Sequence, residues 1–246
     1  MSKRYKNPPI IEAICEFQFD PSSSWDLTVP GLLYNELRQN FPVRRERRIL
    51  TQNVSETPEG PRQNITWMER MQFYNKEETA LVQISPHLIS INHLKPYPSW
   101  TAFLPLIERG LDAYRKIASP SQLRRVGLRY INRIELPGSR AELEDYFEFL
   151  PHLGKNLPKD YVECIVGIVI PFKDPGGLLK LQLTRATLTP DMLPMVLDLD
   201  HFAIESDGMA LDNAMGWVNR AHKNIEDTFE ACITDRTREL FDRIIG

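Results

Sequence analysis

The segment that most constrains the fold is residues 124–136, RRVGLRYINRIEL, which lies at the midpoint of the 246-residue chain. Its side chains alternate in character, and one set carries the charged residues Arg125, Arg129 and Arg133. The other set is apolar apart from Asn132 and consists of Val126, Leu128, Tyr130, Ile134 and Leu136. Because successive side chains of a strand point to opposite faces, this pattern predicts a strand with one packed and one charged face.

The first half of the chain predicts a strand, a helix, three strands and a long helix. Residues 11–19 alternate between apolar and polar side chains, as a half-buried strand does. A helix capped by Asp26 or Thr28 follows. Its apolar stripe consists of Leu32, Leu33, Leu37 and Phe41. The polar residues 51–64 contain two prolines and a glycine and predict a loop. The remaining elements are strands at 65–74, 80–85 and 87–94 and a helix at 100–117.

The second half repeats this order after its opening strand at residues 126–136. Ser139 can cap a short helix, and a long final helix begins near Leu211 and breaks near Thr234. Between these helices, three strands are predicted at 161–172, 178–188 and 195–204. The likeness between the halves lies in the order of elements and not in residue identity.

These elements predict an α+β protein with one domain, residues 1–246, made of two pseudo-repeats at about 1–120 and 121–246. If the halves join edge to edge, they form one curved antiparallel sheet with the helices on one face. The arrangement is saddle-like by topology, and topology alone does not assign a function.

The composition is that of a soluble globular protein without a general nucleic-acid-binding charge. The chain has 30 basic and 33 acidic residues and a net charge of −3. Cys15, Cys164 and Cys232 are far apart in apolar surroundings and predict buried, reduced thiols. The first apolar run is interrupted by Glu12 and Glu16, which excludes a signal peptide or a membrane span there. We therefore expect a cytoplasmic protein without a membrane partner.

The sharpest candidate site comes from pairing the first strands of the two halves. Glu12 and Glu16 would then share the uncovered face with Arg125, Arg129 and Arg133. One interpretation is a surface ion-pair network that locks the halves together. The other is a binding site for a phosphate, a carboxylate or the side chains of a partner, because arginine binds such groups bidentately.

Other chemical patterns are weaker. Asp198 and Asp200 resemble metal ligands, but His201 would point to the opposite face of their strand. His222 lies beside the apolar stripe of the final helix, as a structural histidine does. The sequence also has no GxGxxG, GxxxxGK[ST] or GxSxG motif. We therefore assign no catalytic residue, cofactor or metal.

The basic segment RRERR, residues 44–48, offers an alternative contact with a phosphate backbone through Arg44, Arg45, Arg47 and Arg48. Sheets that bind RNA also expose aromatic side chains for stacking, whereas the aromatic residues of the two opening strands fall on the packed face. Nucleic-acid binding is accordingly the second hypothesis.

Three motifs resemble a sporadically distributed family of prokaryotic proteins of similar length. They are YxxPPIxEA at residues 5–13 followed by Glu16 and Phe17, GLRYINRI at 127–134, and AHxxIxxxF at 221–229. The resemblance spans the whole chain. It implies no particular activity, and the patchy distribution of the family suggests mobile or defence-related gene neighbourhoods.

The leading hypothesis is a non-enzymatic module that binds a protein partner as an accessory or regulatory subunit. A second copy that covers the open sheet face of a homodimer is an alternative partner. The third hypothesis is an enzyme for a small anionic substrate, with Glu12 or Glu16 as base and Arg129 and Arg133 as clamp. This last hypothesis requires a concave pocket at the junction of the halves.

Overall fold

The computed structural model describes residues 5–21, 25–57, 60–138, 141–157, 163–187 and 191–242; for residues 48–57, 60–68 and 206–207 it describes the backbone alone. In this described part, nine strands form one open antiparallel sheet. The strands are β1 (Ile10–Phe19), β2 (Val43–Thr57), β3 (Gly60–Tyr74), β4 (Ala80–Ser85), β5 (Leu88–Leu94), β6 (Leu123–Pro137), β7 (Ile165–Pro171), β8 (Leu178–Arg185) and β9 (Met192–Met209).

The two halves of the chain meet between β1 and β6, as the sequence predicts. The spatial order of the sheet is β2-β3-β4-β5-β1-β6-β9-β8-β7. In the central pair Glu16 lies opposite Gly127 and Ile14 lies opposite Arg129, so the open face of β1 continues onto that of β6. Each half is thus arranged outward from its own first strand.

Helices cover the apolar face of the sheet. They are α1 (Val29–Leu37), α2 (Trp100–Ala118), α3 (Ala214–Cys232) and the short α4 (Asp235–Glu239), so the break near Thr234 is confirmed. Phe19 of β1 stacks on Tyr114 of α2 at a ring-centroid distance of 4.4 Å. Gly110 lets α2 approach the sheet closely, because an added Cβ would lie 2.7 Å from Cγ1 of Ile91. None of the described helices is long and apolar enough to cross a membrane.

A polar contact on the helix side joins the two halves. The hydroxyls of Tyr97 and Tyr130 lie 3.2 Å apart, and the Tyr130 hydroxyl lies 3.2 Å from Nδ1 of His222. The His222 ring stacks on Trp100 at a centroid distance of 4.0 Å. Since Tyr97 and Trp100 precede β6 and the other two residues follow its start, this cluster ties the first half to the second.

One polar residue on the apolar face, Asn132, has its side chain satisfied locally. Asn132, the exception in the alternating pattern of β6, is buried and donates from Nδ2 to the carbonyl oxygen of Leu197 at 3.0 Å.

The three cysteines, Cys15, Cys164 and Cys232, are buried and free, which confirms the expectation of unpaired thiols.

Three local predictions are wrong. Residues 51–64 were expected as a loop, but 51–57 and 60–64 belong to the β2–β3 pair, because the backbone ladder of a strand pair does not require apolar side chains. Leu32 was placed in the apolar stripe of α1, yet it is 48% exposed. The helix expected after Ser139, which lies outside the described residues, is reduced to one 3-10 turn at Leu143–Asp145. The first half therefore has four strands after α1.

Candidate functional site

A cavity of about 350 Å³ opens on the face of the sheet opposite the helices, at the junction of the halves. Its lining side chains come from alternate positions of β1 to β6 and β9, because a pleated sheet projects every second residue to this face. They are Glu12, Ile14, Glu16, Arg47, Arg70, Gln83, Ser90, Asn92, Arg125, Gly127, Arg129 and Asp200. The third hypothesis required a concave pocket at this place, and this cavity meets that requirement.

Buried amides form one wall of the cavity. Asn92 donates from Nδ2 to Oε1 of Glu12 at 2.7 Å, which fixes the carboxylate predicted on β1. Oδ1 of Asn92 accepts from Gln83 at 3.2 Å and from Ser90 at 3.1 Å. The next link, from Nε2 of Gln72 to Oε1 of Gln83, is 2.7 Å long. Chains of hydrogen bonds that satisfy buried polar groups give a rigid surface.

Glu16 and Arg125 form the ion pair at the centre of the site. Nη1 of Arg125 donates to Oε1 of Glu16 at 2.9 Å, and its Nη2 lies 3.6 Å from Asp200. Gly127 makes room for this guanidinium, since a Cβ there would lie 2.9 Å from Nη1. Burial raises the pKa of Asp200, and the nearby Arg125 and Arg129 oppose that rise.

Arg129 and Arg133, the predicted clamp, are both paired with acids. Arg129 donates to Asp198 through Nε at 2.8 Å and through Nη2 at 2.5 Å, a bidentate pair that raises the pKa of the guanidinium. Arg133 donates to Glu135 at 2.6 Å and does not line the cavity. Four of the five predicted residues therefore meet in the pocket, and both clamp residues are already engaged by an acid.

Arg47 and Arg70 are two cationic residues of the cavity that could not be assigned to the same site from the sequence. They lie directly opposite each other on β2 and β3, and both line the cavity. Nε of Arg70 is buried and has no hydrogen-bond partner among the described residues. Its Nη2 is 4.0 Å from Glu16, at the limit of an ion pair. Like charges opposite each other on a strand pair repel, so this corner of the site favours an anion.

The basic segment does not present its arginines as one patch. Arg44 lies over the ring of Tyr34 at 4.6 Å, whereas Arg45 lies over Tyr74 and donates to Glu78 at 2.6 Å. The neighbouring positions 44 and 45 point to opposite faces of β2. The side chain of Arg48 lies outside the described residues.

The suggested metal ligands are divided between the two faces, as the strand periodicity predicts. Asp198 binds Arg129 and Asp200 lines the cavity, while His201 is fully buried among the helices. The His201 ring lies 5.1 Å from the rings of both Phe172 and Trp217. Within the described residues, no group of three or more His, Cys, Asp or Glu side chains could hold a metal ion.

The fold and the pocket define an α+β protein with a large open antiparallel sheet and a charged cavity at its centre. No family model and no curated protein matches the chain. Among solved structures the chain is similar to the crystal structure of the di-domain ARO/CYC StfQ from the steffimycin biosynthetic pathway. The identity is 9%, over 94% of this chain and 97% of that chain, and the TM-score is 0.18. A TM-score this low carries no argument about fold or function.

Proposed function

We propose that this protein binds a small molecule through an oxyanion group, a phosphate or a carboxylate, in the cavity at the junction of β1 and β6. One observation carries the proposal: Arg70 lines the site and has a buried Nε without a described partner, and Arg47 lies opposite it. An oxyanion between these guanidiniums would supply the missing acceptor and relieve the repulsion between them.

The rest of the pocket supports a ligand larger than the anion alone. Its volume of about 350 Å³ lies within the range of small-molecule sites. Arg125 and Arg129 are neutralised by Glu16 and Asp198, so the available positive charge is concentrated at the Arg47 and Arg70 corner. On the opposite wall, Glu12 and Asn92 offer hydrogen-bonding groups to an uncharged or cationic portion of the ligand.

Removing either arginine of this corner should weaken the binding of an oxyanion. For Arg70→Gln and for Arg47→Gln we expect a loss of roughly tenfold to a hundredfold, because each change removes charge-assisted hydrogen bonds. The measurement is calorimetric titration at low ionic strength with inorganic phosphate and, separately, with succinate, which distinguishes phosphate from carboxylate ligands. The control is Arg45→Gln, the same charge change on the same strand outside the cavity. Equal binding by the Arg70→Gln and Arg45→Gln variants would refute the proposal.

A change at Glu16 should have the opposite sign. Glu16 competes with an incoming anion for Arg125 and Arg70. Glu16→Gln removes one negative charge from the pocket and keeps the size of the side chain, so phosphate binding should strengthen severalfold. The same titration measures this effect. Weaker binding by Glu16→Gln would mean that its ion pair with Arg125 is needed to shape the site.

Binding of a protein partner, the leading hypothesis from the sequence, is retained as a second proposal. It is supported by the apolar strand β7, whose residues Ile165 and Val169 are 68% and 56% exposed. A nucleic-acid role for residues 44–48 has less support, because Arg44 and Arg45 are engaged by neighbouring rings on opposite faces.

The pseudo-repeat is likewise an inference. It is supported by the strand order, which runs β5-β4-β3 outward from β1 and β9-β8-β7 outward from β6. Under this inference β2 is an addition to the first repeat, and it contributes Arg47 to the pocket. The curved, saddle-like shape stays a prediction.

A further inference from the structure

Among the described residues, β7 is an edge strand with no strand paired to its outer side. It is the last strand in the spatial order, and its sequence, IVGIVIP, contains no charged residue. Ile165, Ile168 and Val169 are 68%, 45% and 56% exposed, so apolar side chains are exposed on both of its faces. The other edge strand, β2, begins with Val43 followed by five charged residues, RRERR. Charged edges resist pairing with another chain, whereas an apolar edge invites it.

The backbone groups of β7 alternate between those that bond to β8 and those that lie on the outer edge. Arg185 donates to the carbonyl of Cys164, and Phe172 donates to the carbonyl of Gly177. Even-numbered residues of β7 therefore bond to β8, since the bonding alternates along an antiparallel ladder. The N–H and C=O groups of residues 165, 167 and 169 point away from the sheet, as does the carbonyl of Pro171.

We propose that a second copy of this chain pairs antiparallel with β7 about a two-fold axis through Ile168. Gly167 then bonds reciprocally with Val169 of the second copy, and the N–H of Ile165 reaches the carbonyl of Pro171. Ile168 meets its own symmetry mate in a non-hydrogen-bonded pair, where side chains are closest. The two sheets become one continuous sheet.

The charges at the two ends of β7 favour a second copy of this chain as the partner, and they favour this register. Glu163 and Lys173 are exposed, flank the two ends of β7 and stand equally far from Ile168 along the chain. The axis through Ile168 therefore puts each glutamate opposite the lysine of the other copy. An axis through Gly167 would put Glu163 opposite Pro171, and one through Val169 would put Lys173 opposite Ile165. A second copy supplies both charges at these positions by symmetry.

The test is the oligomeric state of the full chain, measured by sedimentation velocity from about 1 to 100 μM, concentrations that cover a weak edge-to-edge dimer. We expect a dimer that Ile168→Lys dissociates, because two lysines would then face each other at the axis. Ile204→Lys is the control, since Ile204 is 68% exposed but lies on β9 and not on the edge strand. Both variants should keep the wild-type circular dichroism spectrum. A wild-type chain that is monomeric throughout this concentration range would overturn the proposal. A chain that is monomeric by itself and binds a different protein would also overturn it.

A charge reversal tests the register without changing an apolar residue. Glu163→Lys alone and Lys173→Glu alone should each weaken the dimer by roughly fivefold to tenfold, because each places like charges opposite one another twice in the dimer. The double reversal should restore the wild-type dissociation constant. If the double variant is as weak as the single ones, the copies do not meet in this register. Phosphate binding is measured separately and does not depend on this result.

Discussion

Acidification from pH 7 to pH 4 is expected to remove about 3 kcal/mol from the free energy of unfolding through one side chain, His222. Burial and, to a smaller extent, the positive charge of the neighbouring Lys223 together lower the pKa of His222 from 6.5 to about 4. The ring is enclosed by its stack on Trp100 and its contact with the Tyr130 hydroxyl. Glu226 lies 3.9 Å from Nε2, too far to offset the loss of hydration.

The sign of the effect follows from which state binds more protons. Between pH 6.5 and 4 the unfolded chain protonates this histidine, while the folded chain keeps it neutral. The stabilising contribution is therefore complete above about pH 6.5 and is lost as the pH falls through about 4.

Urea unfolding at several pH values between 4 and 7.5 would measure this contribution. The His222→Gln variant should be less stable at neutral pH and should lose less stability on acidification than the wild type. His152→Gln is the matched control, because His152 is exposed. If the wild type and His222→Gln lose stability in parallel over this pH range, the pKa of His222 is close to its ordinary value and burial does not lower it.

The sequence is sufficient to predict the central strands and which side chains share a face. The period of two in β1 and β6 makes Glu12, Glu16, Arg125 and Arg129 neighbours once the two strands pair, and it separates Asp200 from His201. Burial of one apolar face enforces this alternation, so a local pattern carries the information.

The partners across strands could not be predicted, because they depend on register between distant segments. Arg129 is neutralised by Asp198 through the β6–β9 pair, and Arg70 faces Arg47 through the β2–β3 pair. The sequence predicts a polar loop for residues 51–64, which include part of β2 and β3. One sequence signal for the cavity face was the presence of amide side chains within mainly apolar strands, namely Gln83 in ALVQIS and Asn92 in LISINHL. These amides mark the face that carries the cavity.

Replacing Gly177 by alanine should be the most damaging small substitution in the turn between β7 and β8. Its φ is +106°, a backbone conformation that residues with a Cβ rarely adopt. A Cβ at this position would also lie 2.3 Å from the carbonyl oxygen of Phe202, and a backbone atom cannot rotate away. We expect Gly177→Ala to cost more than about 4 kcal/mol of unfolding free energy, the range of exceptional substitutions.

Gly176→Ala separates the two causes, because Gly176 has a φ of +90° but an added Cβ would meet nothing within 4 Å. It should cost about 2 kcal/mol from backbone strain alone. Urea unfolding of both variants, followed by tryptophan fluorescence, measures the difference. Equal costs would mean that the chain near Phe202 can move aside. A larger cost at Gly177 would show that the carbonyl of Phe202 fixes this turn, and with it the start of β8, which pairs Leu178 with Phe202 and holds the edge strand β7 in register.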